Sequence, residues 1–212
     1  MTKKLVRALL LLILLLVVAV AVGVGHAAAA HRQLTRVPGK SAATVYLVPL
    51  GDVRSVSLQE LVTFYKQKYG LVIQTLPALQ LERGALDRQR RQLIAEELIE
   101  FMKRGYPNHA ANPRVILIGI TEYDMYIRKY SWAFGFTYRA ENRFAVVSSA
   151  RMNPIILGRP ADPVLLQTRL RKMITKNLGI LYFHLPQSND PSSVLYRSIL
   201  GIDDLDRVGE SF

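Results

Sequence analysis

The chain has 212 residues, with 28 lysines and arginines against 16 aspartates and glutamates, so its formal net charge is +12. Half of the residues are hydrophobic, which excludes an intrinsically disordered chain, and the length suits one compact domain with an appendage. The absence of cysteine excludes disulfides, thiolate zinc sites, iron–sulfur clusters and a cysteine nucleophile.

The N-terminal segment predicts membrane targeting. Residues 8–25 form an 18-residue run without a polar side chain, which is long enough to cross most of a bilayer core. The preceding charges of Lys3, Lys4 and Arg7 predict an N-in, C-out orientation that places the rest of the chain outside the cytoplasm. Two alternatives remain: an uncleaved membrane anchor, which the length of the run favours, and a signal peptide cleaved near residues 28–30 before export.

The composition divides the chain into three parts. Residues 1–30 are the anchor or signal peptide, the polar stretch 31–43 is a linker, and residues 44–212 form one domain. Six of the basic residues lie within residues 1–40, so residues 41–212 carry 22 basic and 16 acidic residues, a net charge of +6. These charges are scattered and form no basic patch interleaved with aromatic residues, which argues against a nucleic-acid partner.

Hydrophobic periodicity predicts the elements of the domain in chain order. Ser57 and Glu60 have capping-box spacing at the start of a helix that Gly70 ends. The predicted strands and helices are strand 45–50, helix 58–69, strand 71–76, helix 87–104, strand 115–120, a hairpin of 132–138 with 144–149, and helix 163–183. This order predicts an α/β (α+β) domain with a mixed, mostly parallel sheet and flanking helices.

Several segments of this domain resemble one known family. T-E-Y-D-M-Y follows strand 115–120 directly, A-F-G-F occupies 133–136, and A-V-V-S-S-A-R occupies 145–151. In order and spacing these segments are similar to those of archaemetzincins, and the resemblance extends over residues 44–207. It implies a metzincin (zincin-like) fold and membership of a family of zinc-dependent proteases.

The resemblance also predicts that the zinc-binding motif is degenerate. Metzincins carry H-E-x-x-H-x-x-G-x-x-H on the helix that follows these strands. With Gly179 as the motif glycine, the three ligand positions hold Lys172, Lys176 and Tyr182, and the general-base position holds Met173. A protonated ammonium group does not ligate zinc, so we expect no metal, no cofactor and no catalytic residues at these positions.

The same helix supplies candidates for a cleft. Arg169, Lys172 and Lys176 share one face, Tyr182 follows on the helix, and His184 could act as a ligand only through a register shift. One interpretation is a former substrate cleft with fixed positive charge that suits an acidic peptide or a C-terminal carboxylate. The other is an ordinary solvated helix face.

The sequence therefore favours a pseudoprotease, that is, an exported or membrane-tethered module that binds peptides or is structural and has lost its protease activity. The alternative is an enzyme: a zinc-dependent metalloprotease with non-standard ligands, or another hydrolase in the same cleft.

Overall fold

The computed structural model describes residues 42–212. The predicted N-terminal helix, with its alternatives of anchor and signal peptide, lies outside these residues. Within residues 42–212, no helix has the length and apolar character needed to cross a membrane.

A five-stranded sheet forms the centre of the domain. Four of its strands are parallel, and β7 pairs antiparallel with β8 at one edge. In spatial order the strands are β2 (Ile73–Thr75), β1 (Thr44–Pro49), β5 (Val115–Thr121), β8 (Phe144–Ser148) and β7 (Thr137–Ala140). β5 is buried along all seven residues because helices cover both faces of the sheet. The predicted mixed, mostly parallel sheet is confirmed.

The helices bury two separate cores against this sheet. One core joins the sheet to the helices α1 and α4, and the other joins the opposite face to α2. The helices are α1 (Leu58–Tyr69), α2 (Ala95–Gly105), the short α3 (Pro107–Ala111), the long α4 (Pro163–Leu181) and α5 (Ile202–Arg207). The predicted α/β layering with flanking helices is therefore confirmed.

The start of α1 uses one half of the predicted capping box. The Ser57 hydroxyl accepts a hydrogen bond from the backbone N–H of Glu60 at 3.1 Å. The Ser57 N–H donates to the side chain of Gln167 instead of Glu60, at 2.9 Å, and the Glu60 carboxylate lies 3.4 Å from Arg171. Gln167 and Arg171 of α4 thus bind the groups that would pair with each other in a local capping box, and these contacts join α1 to α4.

The prediction of one helix over 87–104 is wrong in its first half. β3 (Leu86–Asp87) and β4 (Gln92–Ile94) form an antiparallel pair, and β4 also pairs with β6 (Met125–Tyr126) in a second, three-stranded sheet. The helix begins only at Ala95. The pairing of β4 with β6 outweighs the helical spacing of the apolar residues in this segment. Arg91, in the turn between β3 and β4, adopts a left-handed φ of 56°.

Tyr65 joins α1 to α4 through its hydroxyl group. The side chain is fully buried, and the hydroxyl lies 2.9 Å from the carbonyl oxygen of Arg171 and 3.0 Å from the Thr175 hydroxyl. Burial raises the pKa of this phenol. We expect Tyr65→Phe to lower the free energy of unfolding in urea by about 1.5 kcal/mol, because two polar partners lose a buried hydrogen bond. Tyr123→Phe, at a half-exposed side chain, is the control and should change it by less than about 0.5 kcal/mol.

Candidate functional site

A cavity of about 540 Å³ opens between the edge strand β7 and the helix α4. The segment before β7 forms its outer rim, α4 forms its floor, and the chain after α4 closes the third side. The lining residues are Ile127, Tyr130, Trp132, Ala133, Phe134, Gly135, Phe136, Thr137, Tyr138, Arg139, Met173, Lys176, Gln187, Arg197, Ile199 and Leu200. We call this cavity the cleft, and its volume lies in the range of small-ligand sites.

Hydrogen bonds from β4 and the turn before it fix the rim of the cleft. The Gln92 side chain donates to the carbonyl oxygen of Ala133 at 2.8 Å, and Arg90 donates to the carbonyl oxygen of Trp132 at 3.1 Å. The rings of Trp132 and Tyr130 stack with their centroids 4.4 Å apart and are half exposed. The rim therefore offers an ordered aromatic surface.

Asp124, the aspartate of the T-E-Y-D-M-Y segment, supports this rim from behind. Its Oδ2 atom accepts hydrogen bonds from Arg151 at 2.6 Å and from Gln92 at 3.0 Å. Gln92 is the residue that holds Ala133. The aspartate and arginine of two motifs that resemble archaemetzincins thus position the rim and do not line the cleft.

The charged side chains that line the cleft are all positive. The cleft is lined by three cationic side chains, Lys176, Arg139 and Arg197, and no aspartate or glutamate is among the lining residues that the structure describes. Arg139 donates to the amide oxygen of Asn177 at 3.0 Å, and Lys176 donates to the carbonyl oxygen of Tyr196. Within residues 42–212, none of the three cations forms a salt bridge. An anionic ligand would supply the missing counter-charge.

Burial of two of these cations disfavours their charged forms. Lys176 is 4% exposed, and burial together with the nearby Arg139 guanidinium lowers its pKa to about 8. Burial also lowers the pKa of Arg139 from its usual value, although an arginine stays protonated throughout the physiological range. Lys176 is therefore the cleft cation whose charge depends on pH near neutrality.

Arg169 and Lys172 were predicted beside Lys176, but the structure places them under the C-terminal segment and not in the cleft. Arg169 is fully buried and makes a bidentate ion pair with Asp206 of α5, at 2.6 and 2.7 Å. Lys172 is 8% exposed and donates to the carbonyl oxygens of Leu205 and Asp206 at 3.1 and 2.9 Å. The interpretation of this face as solvated is therefore wrong, because α5 covers it.

Tyr182 and His184, the remaining cleft candidates, also lie elsewhere. Tyr182 is 4% exposed and belongs to the core between α1, α4 and the sheet, where burial raises its pKa. His184 follows α4 with a left-handed φ of 52° and is exposed beside Arg114 and Glu141 in a different cavity, near the start of β1. Of the five predicted cleft residues, only Lys176 lines the cleft.

Gly179 does not turn the chain as the resemblance implied, because α4 continues through it to Leu181. A Cβ atom at this position would lie 2.7 Å from the Leu195 side chain and 3.1 Å from Phe212. We expect Gly179→Val to lower the free energy of unfolding by about 2 kcal/mol, through overpacking at this contact. Gly84→Val, where a Cβ atom meets nothing within 4 Å, is the control for chemical denaturation, and an equal loss there would contradict this explanation.

The sequence reasoning did not single out Arg139, Arg197 or Gln187 as cleft residues. Arg139 lies on β7 (Thr137–Ala140), whereas the sequence predicted the first hairpin strand at 132–138 and placed Arg139 in the turn after it. An arginine on an edge strand beside aromatic residues could have indicated it. Arg197 and Gln187 lie in the irregular chain after α4, whose path has no periodic pattern.

Curated proteins similar to this chain include archaemetzincins of two Pyrococcus species. The chain is 27% identical over 167 residues to an archaemetzincin of Pyrococcus abyssi, covering 75% of this chain and 85% of that protein. It is 28% identical over 151 residues to an archaemetzincin of Pyrococcus horikoshii, covering 69% of this chain and 76% of the relative. No profile of a known protein family matches the chain.

Solved structures support the same fold. The archaemetzincin of Methanopyrus kandleri superposes with a TM-score of 0.62 at 24% identity, covering 81% of this chain and 89% of that one. A zinc-dependent peptidase of Methanocorpusculum labreanum gives a TM-score of 0.63 at 19% identity, covering 79% and 95%. The domain therefore has the fold of the archaemetzincins, a class of zinc peptidases.

The similarity in sequence and the similarity in fold point to the same family. The chain is archaemetzincin-like, as its motifs predicted.

The expectation of no cofactor is wrong as an interpretation of the family, because the relatives are archaemetzincins and one similar solved structure is that of a zinc-dependent peptidase. The predicted motif positions nevertheless do not fit a zinc ion. Lys172 and Lys176 present ammonium groups that already donate to backbone carbonyl oxygens, and Met173 cannot accept a proton as a general base. Among residues 42–212, no three histidine, aspartate or glutamate side chains converge as metal ligands. These positions on α4 therefore do not form a zinc-binding site.

Proposed function

We propose that this archaemetzincin-like domain is a peptide-binding module that has lost protease activity at the motif positions on α4. Its ligand is a peptide with a carboxylate group, bound by the cations of the cleft and flanked by the aromatic rim. The observation that carries this proposal is the set of Lys176, Arg139 and Arg197 around one cavity without a carboxylate among its described lining residues.

The physical basis is a charge-assisted contact in a partly dry site. A carboxylate accepts hydrogen bonds from guanidinium and ammonium groups, and such bonds are shorter and stronger than neutral ones. Lys176 and Arg139 are already desolvated in the free protein, so an incoming carboxylate regains part of that cost. The aromatic rim provides apolar area for the side chain next to the carboxylate.

Fluorescence anisotropy with paired peptides tests this function. The probes are labelled hexapeptides that end in an apolar or aromatic residue, each made with a free C-terminal carboxylate and with a C-terminal amide. We expect the carboxylate forms to bind about tenfold more tightly or better than the amides, and Arg197→Gln to remove most of that difference. Arg83→Gln, an exposed arginine outside the cleft, is the matched control. Equal affinity for the two forms would contradict the proposal.

A second candidate function is a metallopeptidase that uses non-standard ligands, and the zinc-dependent relatives favour it. Digestion of a peptide library, with and without a chelator, separates the two functions. Cleavage that the chelator abolishes supports the metallopeptidase. Cleavage that persists in chelator points to another hydrolase, and peptide binding without cleavage supports the binding module.

We also propose that the domain lies outside the cytoplasm, tethered by residues 8–25 or exported after their cleavage. Support comes from the 18-residue apolar run and the three basic residues before it. Protease protection of the full chain in intact cells tests the orientation: a domain on the outside is digested without lysis, whereas a protected domain contradicts the proposal.

A further inference from the structure

Ten consecutive residues after β8, 155–164, are exposed, and the last two of them begin α4. Four of them carry large apolar side chains: Ile155, Ile156, Leu157 and Val164, exposed by 57%, 58%, 39% and 76%. Arg159 is the only cation of the segment, and the one acidic side chain, Asp162, accepts a hydrogen bond from the backbone N–H of Leu165. We call residues 155–164 the apolar tip.

The apolar tip is a formed structure and not an unfolded loop. The Asn153 side chain caps the 3₁₀ turn Pro154–Leu157 by accepting from the N–H of Ile155 at 3.1 Å. Gly158 ends this turn with a left-handed φ of 69°, and Asp162 caps the start of α4. Three adjacent aliphatic side chains are therefore held toward solvent. Contiguous exposed apolar side chains of this kind are typical of surfaces that a partner covers.

We infer that the apolar tip inserts into the surface of a lipid bilayer, which makes it a second membrane contact besides the N-terminal segment. This inference rests on the proposed membrane-tethered location of the domain. Its side chains are aliphatic, whereas protein-binding surfaces are enriched in aromatic residues and methionine. Arg159, the one cation of the apolar tip, suits the headgroups of an anionic lipid surface.

The length of the N-terminal chain permits this contact. The apolar tip follows the carboxyl end of β8, and β1, which is parallel to β5 and β8 in register, begins at the opposite end of the sheet. The sheet is short, because its longest strand has seven residues and spans about 23 Å. Residues 26–41, between the apolar run and the described domain, are 16 residues that can extend to about 55 Å. This length of chain exceeds the length of the sheet, so a tether at residues 8–25 does not exclude contact of the apolar tip with the bilayer.

The cysteine-free chain permits a direct test by labelling at single sites. The full chain with Ile156→Cys is labelled with an environment-sensitive fluorophore and bound to vesicles of equal parts phosphatidylcholine and phosphatidylglycerol. Val72→Cys, at a similarly exposed side chain on a different surface, is the matched control. We expect a several-fold rise in emission and quenching by spin-labelled lipid at position 156, and neither effect at position 72.

Each outcome decides the inference separately from the peptide-binding proposal. A chain that floats with the vesicles while position 156 stays in water contradicts the apolar tip alone. A chain that does not float contradicts the membrane location and the apolar tip with it. A change at position 156 that depends on protein concentration and needs no vesicles shows that a second copy covers the apolar tip, which also overturns the inference.

Discussion

Replacing Asp206 with asparagine is expected to lower the free energy of unfolding by about 3 kcal/mol, because it leaves a buried guanidinium without its counter-charge. Arg169 is fully buried, and its charge is balanced by the Asp206 carboxylate through two hydrogen bonds of 2.6 and 2.7 Å. Asp206 itself is 37% exposed, so solvent compensates part of the loss and the lower end of the usual range applies. Urea denaturation of the full domain measures this effect.

Asp203→Asn is the matched control for this prediction. Asp203 is an exposed residue of the same short helix, so its replacement should change the free energy of unfolding by less than about 0.5 kcal/mol. A loss at Asp206 no larger than that at Asp203 would contradict the structural role of the ion pair.

The same ion pair gives a defined pH dependence. The Arg169 guanidinium holds the pKa of Asp206 below its usual value. A carboxyl group whose pKa is lowered by folding stabilises the native state above its unfolded pKa, and this contribution is lost as the pH falls through the folded value. The wild-type protein should therefore lose this contribution below about pH 4, and Asp206→Asn should remove that part of the pH dependence.

The helix that carries catalytic ligands in metzincins here supports the C-terminal segment. Lys172 donates to a backbone carbonyl oxygen of α5, and Arg169 forms an ion pair with the Asp206 carboxylate of the same helix. Arg171 lies 2.8 Å from the carboxylate of Glu210, which follows α5. Arg169 and Lys172 are side chains that the sequence assigned to an open cleft. Structural contacts to α5 therefore occupy most of this face, and only Lys176 still reaches the cleft.

Local sequence patterns were sufficient to predict most of the sheet, both ends of α1 and the start of α4. The apolar run of β5 and the Ser57 cap depend on neighbours in sequence, so they can be recognised without a tertiary structure. The segment 86–94 could not be predicted in this way. Its strand β4 exists because Leu93 and Ile94 pair with Met125 and Tyr126, more than thirty residues later.

The residues of the candidate site were harder to predict, because tertiary packing decides which charged side chains of α4 reach the cleft. Arg169, Lys172 and Lys176 share one helix face in sequence, yet the position of α5 decides which of them meets solvent, a carbonyl group or the cleft. α5 lies more than twenty residues beyond these side chains and has no periodic pattern that fixes its docking. The resemblance to archaemetzincins predicted the position of the helix but not this covering.

Lys176→Met is the most informative single change in the cleft, because function and stability should respond in opposite directions. The ammonium group is buried beside Arg139 and forms no salt bridge among the described residues, so its charge is unfavourable to folding. Methionine fills a similar volume without charge. We expect the variant to be at least as stable as the wild type in urea and to bind carboxylate-terminated peptides about tenfold more weakly.

The pH dependence of peptide binding separates a ligand-binding role of Lys176 from a structural one. With a pKa of about 8, Lys176 loses its charge between pH 7 and 9.5, so affinity for the carboxylate peptides should fall about tenfold over this range. Arginine side chains stay protonated over this pH range, and burial raises the pKa of Tyr138, so these kinds of lining group do not mimic the effect. In Lys176→Met the affinity should be low and independent of pH. A variant that keeps the wild-type pH profile, or that loses more than about 1 kcal/mol of stability, would identify Lys176 as a structural residue that binds the Tyr196 carbonyl group and would remove it from the ligand site.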